Sequence, residues 1–453
     1  MRSNAGRCVR LPVVDDFAAD PDASYVLRTV AERSVRFVRF WFVDVMGTLK
    51  SFSVPSSELE QALAEGVSID GSSLEGSVRL RERDVIALPD PRTFQVIPWR
   101  RPGAAVGRMF CDIRMPDGSP FPGDSREALR RVLATAAELG YSFQVGCEVE
   151  FFLFEPLTDD GAVPRPLDRG AYFDLTPRDE GSDFRRQTIE HLEQMGIPVK
   201  ASHHEVGPSQ HEISLQHDNA LAMADAVSTF RLTVKEVAHD QGVYATFMPK
   251  PLENESGSGL HLHLSLFEGE RNLFHEPGSP TGLSELGQRF LAGVLVHARE
   301  LTALTNPCVN SYKRLGSFEA PDHVCWTRHG REALVRVPSA RPGRPTAARI
   351  EVRSPDPSCN PYLAFAVLLA AGLRGIERGY ELALEVEDAP PADAPALPED
   401  LREATELFAA SALARETLGD RLCDWYAANQ RSEWRDYQHI VTEFERRRYL
   451  PNL

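Results

Sequence analysis

The chain has 453 residues, 42% of them hydrophobic, and a formal net charge of −16. That length exceeds one small core and points to two domains, while the acidic balance excludes the electrostatic footprint of a nucleic-acid binder. Seven cysteines without a Cys-x-x-Cys pair exclude a disulfide framework or a zinc cluster, and the lack of a signal-like or membrane-length apolar run makes a cytoplasmic, membrane-free protein the expectation.

Residues 1–22 read as a ragged extension. Residues 26–36 read as a short helix, and 37–45 with 49–54 as a strand–turn–strand around Met46-Gly47. Helical spacing follows at 57–65, and strand-like runs at 93–99 and 105–113. Residues 23–117 are thus expected to form a small α+β domain, ended by the turn-rich stretch 115–123. The second domain is expected over 118–453. Its helices are predicted at 125–139, 183–195, 219–241, 283–304 and 360–378. Strands are predicted at 143–154, 212–215, 260–266, 333–337 and 348–353, a loop at 388–398, and closing helices at 401–418 and 421–447.

Four of these strand segments alternate polar, chemically capable residues with apolar ones, so the polar set projects from one face. Glu148 and Glu150 share a face between apolar flanks. A lone Glu-x-Glu is more often a solvated edge, but two carboxylates in a buried strand need a cation. Glu205 and Glu212 bracket a Gly-Pro turn. His261, His263 and Ser265 line one face behind a Gly-Ser-Gly loop, and Arg349, Glu351 and Arg353 line another. The five carboxylates with one of these imidazoles form a mostly oxygen donor set, suited to Mg²⁺ or Mn²⁺ and poorly suited to zinc. Two or three such ions would offset most of that charge. Only five of the 50 basic residues are lysine, so anion sites must be built from arginine. Arg314, Arg331, Arg336, Arg349 and Arg353 supply that charge for phosphates and a carboxylate.

Seven motifs occur in order: Asp70-Gly-Ser-Ser73, Glu148-x-Glu150, the His-His-Glu segment with Glu205 and Glu212, Gly257-Ser-Gly-x-His261, Asn310-Ser-Tyr-Lys-Arg314, Glu319-Ala-Pro321 and Arg349-x-Glu351-x-Arg353. This pattern resembles bacterial type I glutamine synthetase. The resemblance implies an α+β fold: a small β-grasp N-terminal domain and a larger catalytic domain with a curved antiparallel sheet (a half-barrel) and surrounding helices. It implies a homo-oligomer, a dodecamer of two hexameric rings with active sites between neighbours. Glu150, Glu205 and Glu212 would hold one metal ion, and Glu148, His261 and Glu351 the other. Gly257, Arg314 and Arg353 would position glutamate. His263, Ser265, Arg331, Arg336 and Arg349 would serve ATP and the transferred phosphoryl group. Asp70 from the adjacent subunit and Glu319 on a flap would handle an amine and its proton, beside Ser73 and Tyr172.

The sequence departs from that family at several points. The usual Asn-Gly-Ser-Gly loop begins with Ser256, at a position implied to contact glutamate. Ser77 stands where an aromatic is usual, and only Leu315-Gly-Ser-Phe318 separates Arg314 from Glu319. The phosphoryl-transfer half is intact while the changes gather at the amine half. The expected function is an ATP-dependent ligase forming a γ-glutamyl amide through γ-glutamyl phosphate, with an amine larger than ammonia. It is most similar to the glutamine-synthetase-like γ-glutamylpolyamine ligases. Glu75 adds a carboxylate to the amine pocket if it faces inward. The alternative is an authentic glutamine synthetase using ammonia, which Asp70 and Ser73 match. A catalytically silent relative is disfavoured by the complete ligand set.

Overall fold

Six of the seven residues in Phe37–Val43 are aromatic or β-branched, and the segment forms the centre of a small sheet. The computed structural model describes residues 20–453 apart from 77–82, 100–104, 158–163, 176–179, 340–342, 388 and 392. Leu49–Pro55 pairs antiparallel with Phe37–Val43, and Val106–Arg114 pairs parallel with it. Asp84–Pro89 and Val67–Asp70 continue the sheet beyond Val106–Arg114. This is the β-grasp arrangement, and its apolar face buries Val38, Phe40, Leu59, Leu63 and Met109.

Local chemistry moves several predicted boundaries. The first described helix runs Pro21–Glu32 rather than over 26–36, because Asp20 accepts from Asp22 N and Pro21 is preorganised for the first turn. Its onset therefore falls inside the predicted extension, whose residues 1–19 lie outside the described set. The strand-like run 93–99 shrinks to Gln95–Val96, since Asp90 caps a tight turn at Pro91–Thr93. Val67–Asp70 and Asp84–Pro89 were not anticipated; four and six residues carry little periodic signal. The closing helices are each broken by a cap. Ser411 starts Ala412–Leu418, and a Thr442–Glu445 capping box starts Glu443–Tyr449 after Asp420–Gln438.

The larger sheet orders its strands Trp326–Thr327, Val335–Arg336, Ile350–Val352, Leu260–Glu268, Ser142–Phe154, Gln210–Leu215 and Val199–His204. Every pair along this path is antiparallel except the first. Its apolar face buries Val145, Cys147, Val149, Leu260, Leu262, Leu264, Ile213, Ile350 and Val352 in the main core. That core also holds residues of Ala220–Gln241, Glu285–Thr305 and Pro361–Arg378, the last two packed on each other. Among the described residues no helix is long and apolar enough to cross a membrane.

Two polar joints fix the small sheet to the large unit. Asn360, the cap of Pro361–Arg378, donates through Nδ2 to the carbonyls of Asp44 and Val45, each at 3.2 Å. The turn lies so close that a Cβ on Gly47, whose φ is +88°, would come within 2.9 Å of Asn360 Cα. Arg126 is 4% exposed and meets three carboxylates: Asp90 at 3.0 Å, Asp225 at 2.9 Å and Asp112. Removing that cation leaves Asp225 with no guanidinium partner among the described residues, while Asp90 keeps Arg92 and Arg130 and Asp112 keeps Arg130. Arg126→Ala is expected to cost about 3–5 kcal/mol, measured as a lower urea midpoint; an unchanged midpoint would remove Arg126 from this joint.

Candidate active site

The strand register assembles the polar face. Opposed residues on antiparallel neighbours point to the same side. Glu148 lies opposite His261 and Glu150 opposite Glu212. His263 and Arg336 both lie opposite Glu351, and His203 lies opposite Glu212. Alternation within each strand then adds Ser214, Ser265, Arg349 and Arg353 to that face.

A cavity of about 580 Å³ opens on this face. Its lining includes Glu148, Glu150, Glu205, Glu212, His261 and Glu351, with Gly257, Arg314, Arg331, Arg336, Arg353, Tyr172 and Glu319. Glu148, His261 and Glu351 place ligand atoms within 4.8 Å of one another, as do Glu150, Glu212 and His261. Glu205 joins a third group with Glu212 and His203 rather than with Glu150. His203 Nε2 lies 2.7 Å from Glu205 Oε1. His203 sits within the motif read from the sequence but received no role there. Its signal was the alternation with Glu205, which became useful only once the strand Val199–His204 was known.

The carboxylates differ in how they are held. Glu150 Oε2 accepts from Gln210 Nε2 and Gly259 N, both at 2.9 Å. Gln210 Nε2 also donates to Gly257 O at 3.0 Å, tying the Gly-Ser-Gly loop to the hairpin. That loop runs so close to its neighbours that a Cβ on Gly257 would fall 2.3 Å from Pro249 O and 3.0 Å from Arg314. Burial pushes Glu150 and Glu212 above the ordinary carboxylate range. His261 and Arg314 oppose this at Glu150 and Glu205 adds to it, while Glu148 and Glu150 drive Glu212 well above that range. Glu351 is the opposite case. Burial would raise it, but His263, His261, Arg353 and Arg336 bring it down to about 2. Burial would also raise Glu148, and the two histidines hold it well below the usual range.

Both oxygens of Glu351 are taken by arginine. Arg336 Nε donates to one at 2.7 Å and Arg353 Nη1 to the other at 2.5 Å. Arg314 is buried and donates to the carbonyls of Ser354 and Arg353 at 2.8 and 3.1 Å. Arg331 donates to Glu319 at 3.0 Å and lies 5.4 Å from the Tyr172 ring centre. A buried, mostly oxygen donor set with two carboxyls repelling each other fits a hard divalent cation such as Mg²⁺ or Mn²⁺.

Not every predicted residue reaches the cavity. His263, Ser265 and Arg349 extend the same face beyond its edge. His263 Nε2 lies 2.9 Å from Glu148 Oε1 without hydrogen-bond alignment, and Arg349 Nε donates to His263 Nδ1 at 3.1 Å. Asp70 and Ser73 lie in the small domain, outside this chain's own cavity. Asp70 Oδ2 accepts from Ser72 Oγ at 2.6 Å, and Ser73 Oγ donates to Asp70 O at 2.8 Å. Glu75 is buried, and its carbonyl accepts from Asn429, so it does not line this chain's cavity. Ser77 lies outside the described residues.

Known proteins are similar to this chain in sequence and in fold. The family models "Glutamine synthetase, beta-Grasp domain" and "Glutamine synthetase, catalytic domain" match residues 34–116 and 122–449. A glutamine synthetase of Mycolicibacterium smegmatis is 50% identical over 443 residues, covering 95% of this chain and 99% of that one. One of Methanosarcina mazei is 42% identical over 438 residues, covering 94% and 97%. Among solved structures, a GmaS/ADP complex and apo GmaS without ligand each align with a TM-score of 0.85, at 32% and 33% identity. Each alignment covers 94% of this chain and 99% of the other.

The raised carboxyls have a measurable consequence. Glu150 and Glu212 bind protons in the ion-free fold that an unfolded chain releases above its ordinary carboxylate range, so the ion-free protein loses stability as pH rises beyond that range. A cation binds the ionised forms and displaces those protons. The gain in Tm from saturating Mg²⁺ is therefore expected to grow as pH rises above the ordinary carboxylate range. Thermal scans with and without the ion check this, and a gain that shrinks with pH would contradict it.

Proposed function

This chain belongs to the glutamine synthetase family, and from that premise we propose that it joins the γ-carboxyl of glutamate to an amine larger than ammonia. The coarser activity, an ATP-dependent ligase of glutamine synthetase type, comes with the family. The observation that carries the reading is one cavity lined by six ligating side chains and four arginines.

In this reading Glu150, Glu205 and Glu212 hold one divalent ion, and Glu148, His261 and Glu351 a second. Bound Mg²⁺ or Mn²⁺ supplies charge neutralisation for the phosphoryl group. Gly257, Arg314 and Arg353 orient glutamate so that a γ-carboxylate oxygen attacks the γ-phosphorus of ATP. The bond to the bridging oxygen breaks, and ADP leaves with that electron pair. His263, Ser265, Arg331, Arg336 and Arg349 bind the nucleotide and the transferring group. A relative of the same fold that holds ADP supports a nucleotide on this framework. Release of Arg336 and Arg353 from Glu351 would free two guanidinium groups for substrate anions. The neutral amine nitrogen then attacks the acyl carbon, phosphate leaves, and the amine proton passes to Glu319 or to Asp70 of a second copy. Tyr172 and Ser73 complete the amine pocket. Because Asp70 lies outside this chain's own cavity, the reading needs a ring assembly, the double hexamer of the family, working in the cytoplasm.

The shortened flap supports the larger amine. Phe318 is left-handed (φ 53°) and 54% exposed, and Gly316 packs on Asp322. The ammonia reading is favoured by the 50% identity to proteins named glutamine synthetase. ADP release with glutamate and a panel of ammonium, monoamines, diamines and polyamines separates the two. A diamine or polyamine is expected to give the higher kcat/KM; ammonium preferred by about tenfold or more would decide for glutamine synthetase. In Glu319→Ala, amide formation is expected to slow by about two orders of magnitude while the acyl phosphate can still be trapped. Failure to trap it, where the parent yields it, would move Glu319 into the first half-reaction.

A further inference from the structure

Asp168 lies outside the cavity, four residues before Tyr172, and hydrogen-bonds Ser209 of the hairpin that carries Glu205 and Glu212. Its side chain is 8% exposed. Oδ1 accepts from Gly170 N at 3.0 Å and Ser209 N at 3.1 Å, and lies 2.8 Å from His204 Nε2. The Asp168 backbone N–H donates to Ser209 Oγ at 2.7 Å. His204 in turn has Nδ1 2.6 Å from the Glu205 carbonyl, which fixes its ring between the two oxygens. On one side of Asp168, four and five residues along, stand Tyr172 and Phe173. Their rings lie 5.5 and 4.5 Å from that of His203. On the other side stands the hairpin that carries Glu205 and Glu212.

The backbone at both ends of this contact is strained. Phe173 and Ser209 are left-handed, at φ 61° and 54°. Such conformations cost non-glycine residues energy and persist where the surroundings hold them. Phe173 N donates to His204 O at 3.1 Å, and Ser209 is pinned by Asp168. Asp168, His204 and His211 lie close enough together to resemble cation ligands. The surroundings argue against that use. Arg185 donates to His211 Nδ1 at 2.8 Å and brings fixed positive charge to the group. Oδ1 of Asp168 already accepts from the backbone N–H groups of Gly170 and Ser209.

We propose that Asp168 is a positioning residue that ties the Tyr172–Phe173 wall of the amine pocket to the hairpin bearing Glu205 and Glu212. It makes amine capture and ion binding depend on one carboxylate. The assignment of these walls rests on the function proposed above. Removing the carboxylate frees both at once, whereas a residue that merely fills space would loosen one side or neither.

Three variants test this in the assembled protein. Asp168→Ala removes the shared acceptor. Asp168→Asn keeps an oxygen at that place. Ser209→Gly deletes the hydroxyl partner without backbone strain and serves if Asp168→Ala does not assemble. In Asp168→Ala the Kd for Mn²⁺ and the KM for the amine are both expected to rise about tenfold, the usual scale for a residue acting through a ligand. Most of both losses should return in Asp168→Asn, and Ser209→Gly should shift both in the same direction. Amide hydrogen exchange should quicken together over 168–175 and 203–210 while the central strand stays protected. A rise in one constant alone, or separate changes in exchange, overturns the proposal. If the parent releases no ADP with any amine, the functional reading fails, while Mn²⁺ affinity and exchange still decide whether Asp168 couples the two segments.

Discussion

Too many negative charges on one buried sheet face set the terms for this molecule. Glu150 and Glu212 face each other across neighbouring strands, with Glu148 and Glu351 on the same surface. Such charges are tolerated in an interior only when paired with cations or protonated. The structure uses both means. Arginines take the two oxygens of Glu351, and Glu150 and Glu212 are pushed toward the protonated form. A divalent ion would satisfy the same carboxylates more fully, and a ligase of glutamine synthetase type needs one where phosphate charge must be spread.

The rest of the fold holds that face still. Behind it lies a continuous apolar layer, every other residue of the same strands, packed on long helices. Side chains on such strands are aimed by the backbone and not by loops, which is what a site requiring fixed donors demands. The pieces that contact an amine in the proposed reading are of a different kind. Tyr172, Phe173 and Phe318 sit on irregular segments, half or more of each phenylalanine exposed, with left-handed backbone at both phenylalanines. In the proposed reading, phosphoryl chemistry rests on rigid strands and amine specificity on adaptable loops.

Much of this was legible in the sequence because period-two alternation reports a face directly. The sets Glu148/Glu150, His261/His263 and Glu351/Arg353 needed no partner strand to be recognised. What alternation cannot give is register. The pairing of Glu351 with Arg336, and of Glu212 with His203, depends on which residues of distant strands end up opposite one another. His203 was therefore passed over, though its Nε2 lies 2.7 Å from Glu205 Oε1. The short strands Val67–Asp70 and Asp84–Pro89 were missed for want of length, and the last helices were drawn too long because Ser411 and Thr442 act through local caps. Asp168 carried no pattern at all. Its neighbours His204 and Ser209 are more than 35 positions away along the chain.

The central claim, that the crowded carboxylate face is built for divalent cations, is tested most directly by counting them. Titration of Mn²⁺ into the assembled protein near neutral pH, with free ion followed by electron paramagnetic resonance, gives the number bound per chain. The account predicts about two or three in the parent, and about one fewer in Glu351→Gln, which keeps the shape of the side chain and removes its charge. A parent that binds none, or a Glu351→Gln variant that binds as many as the parent, would contradict it.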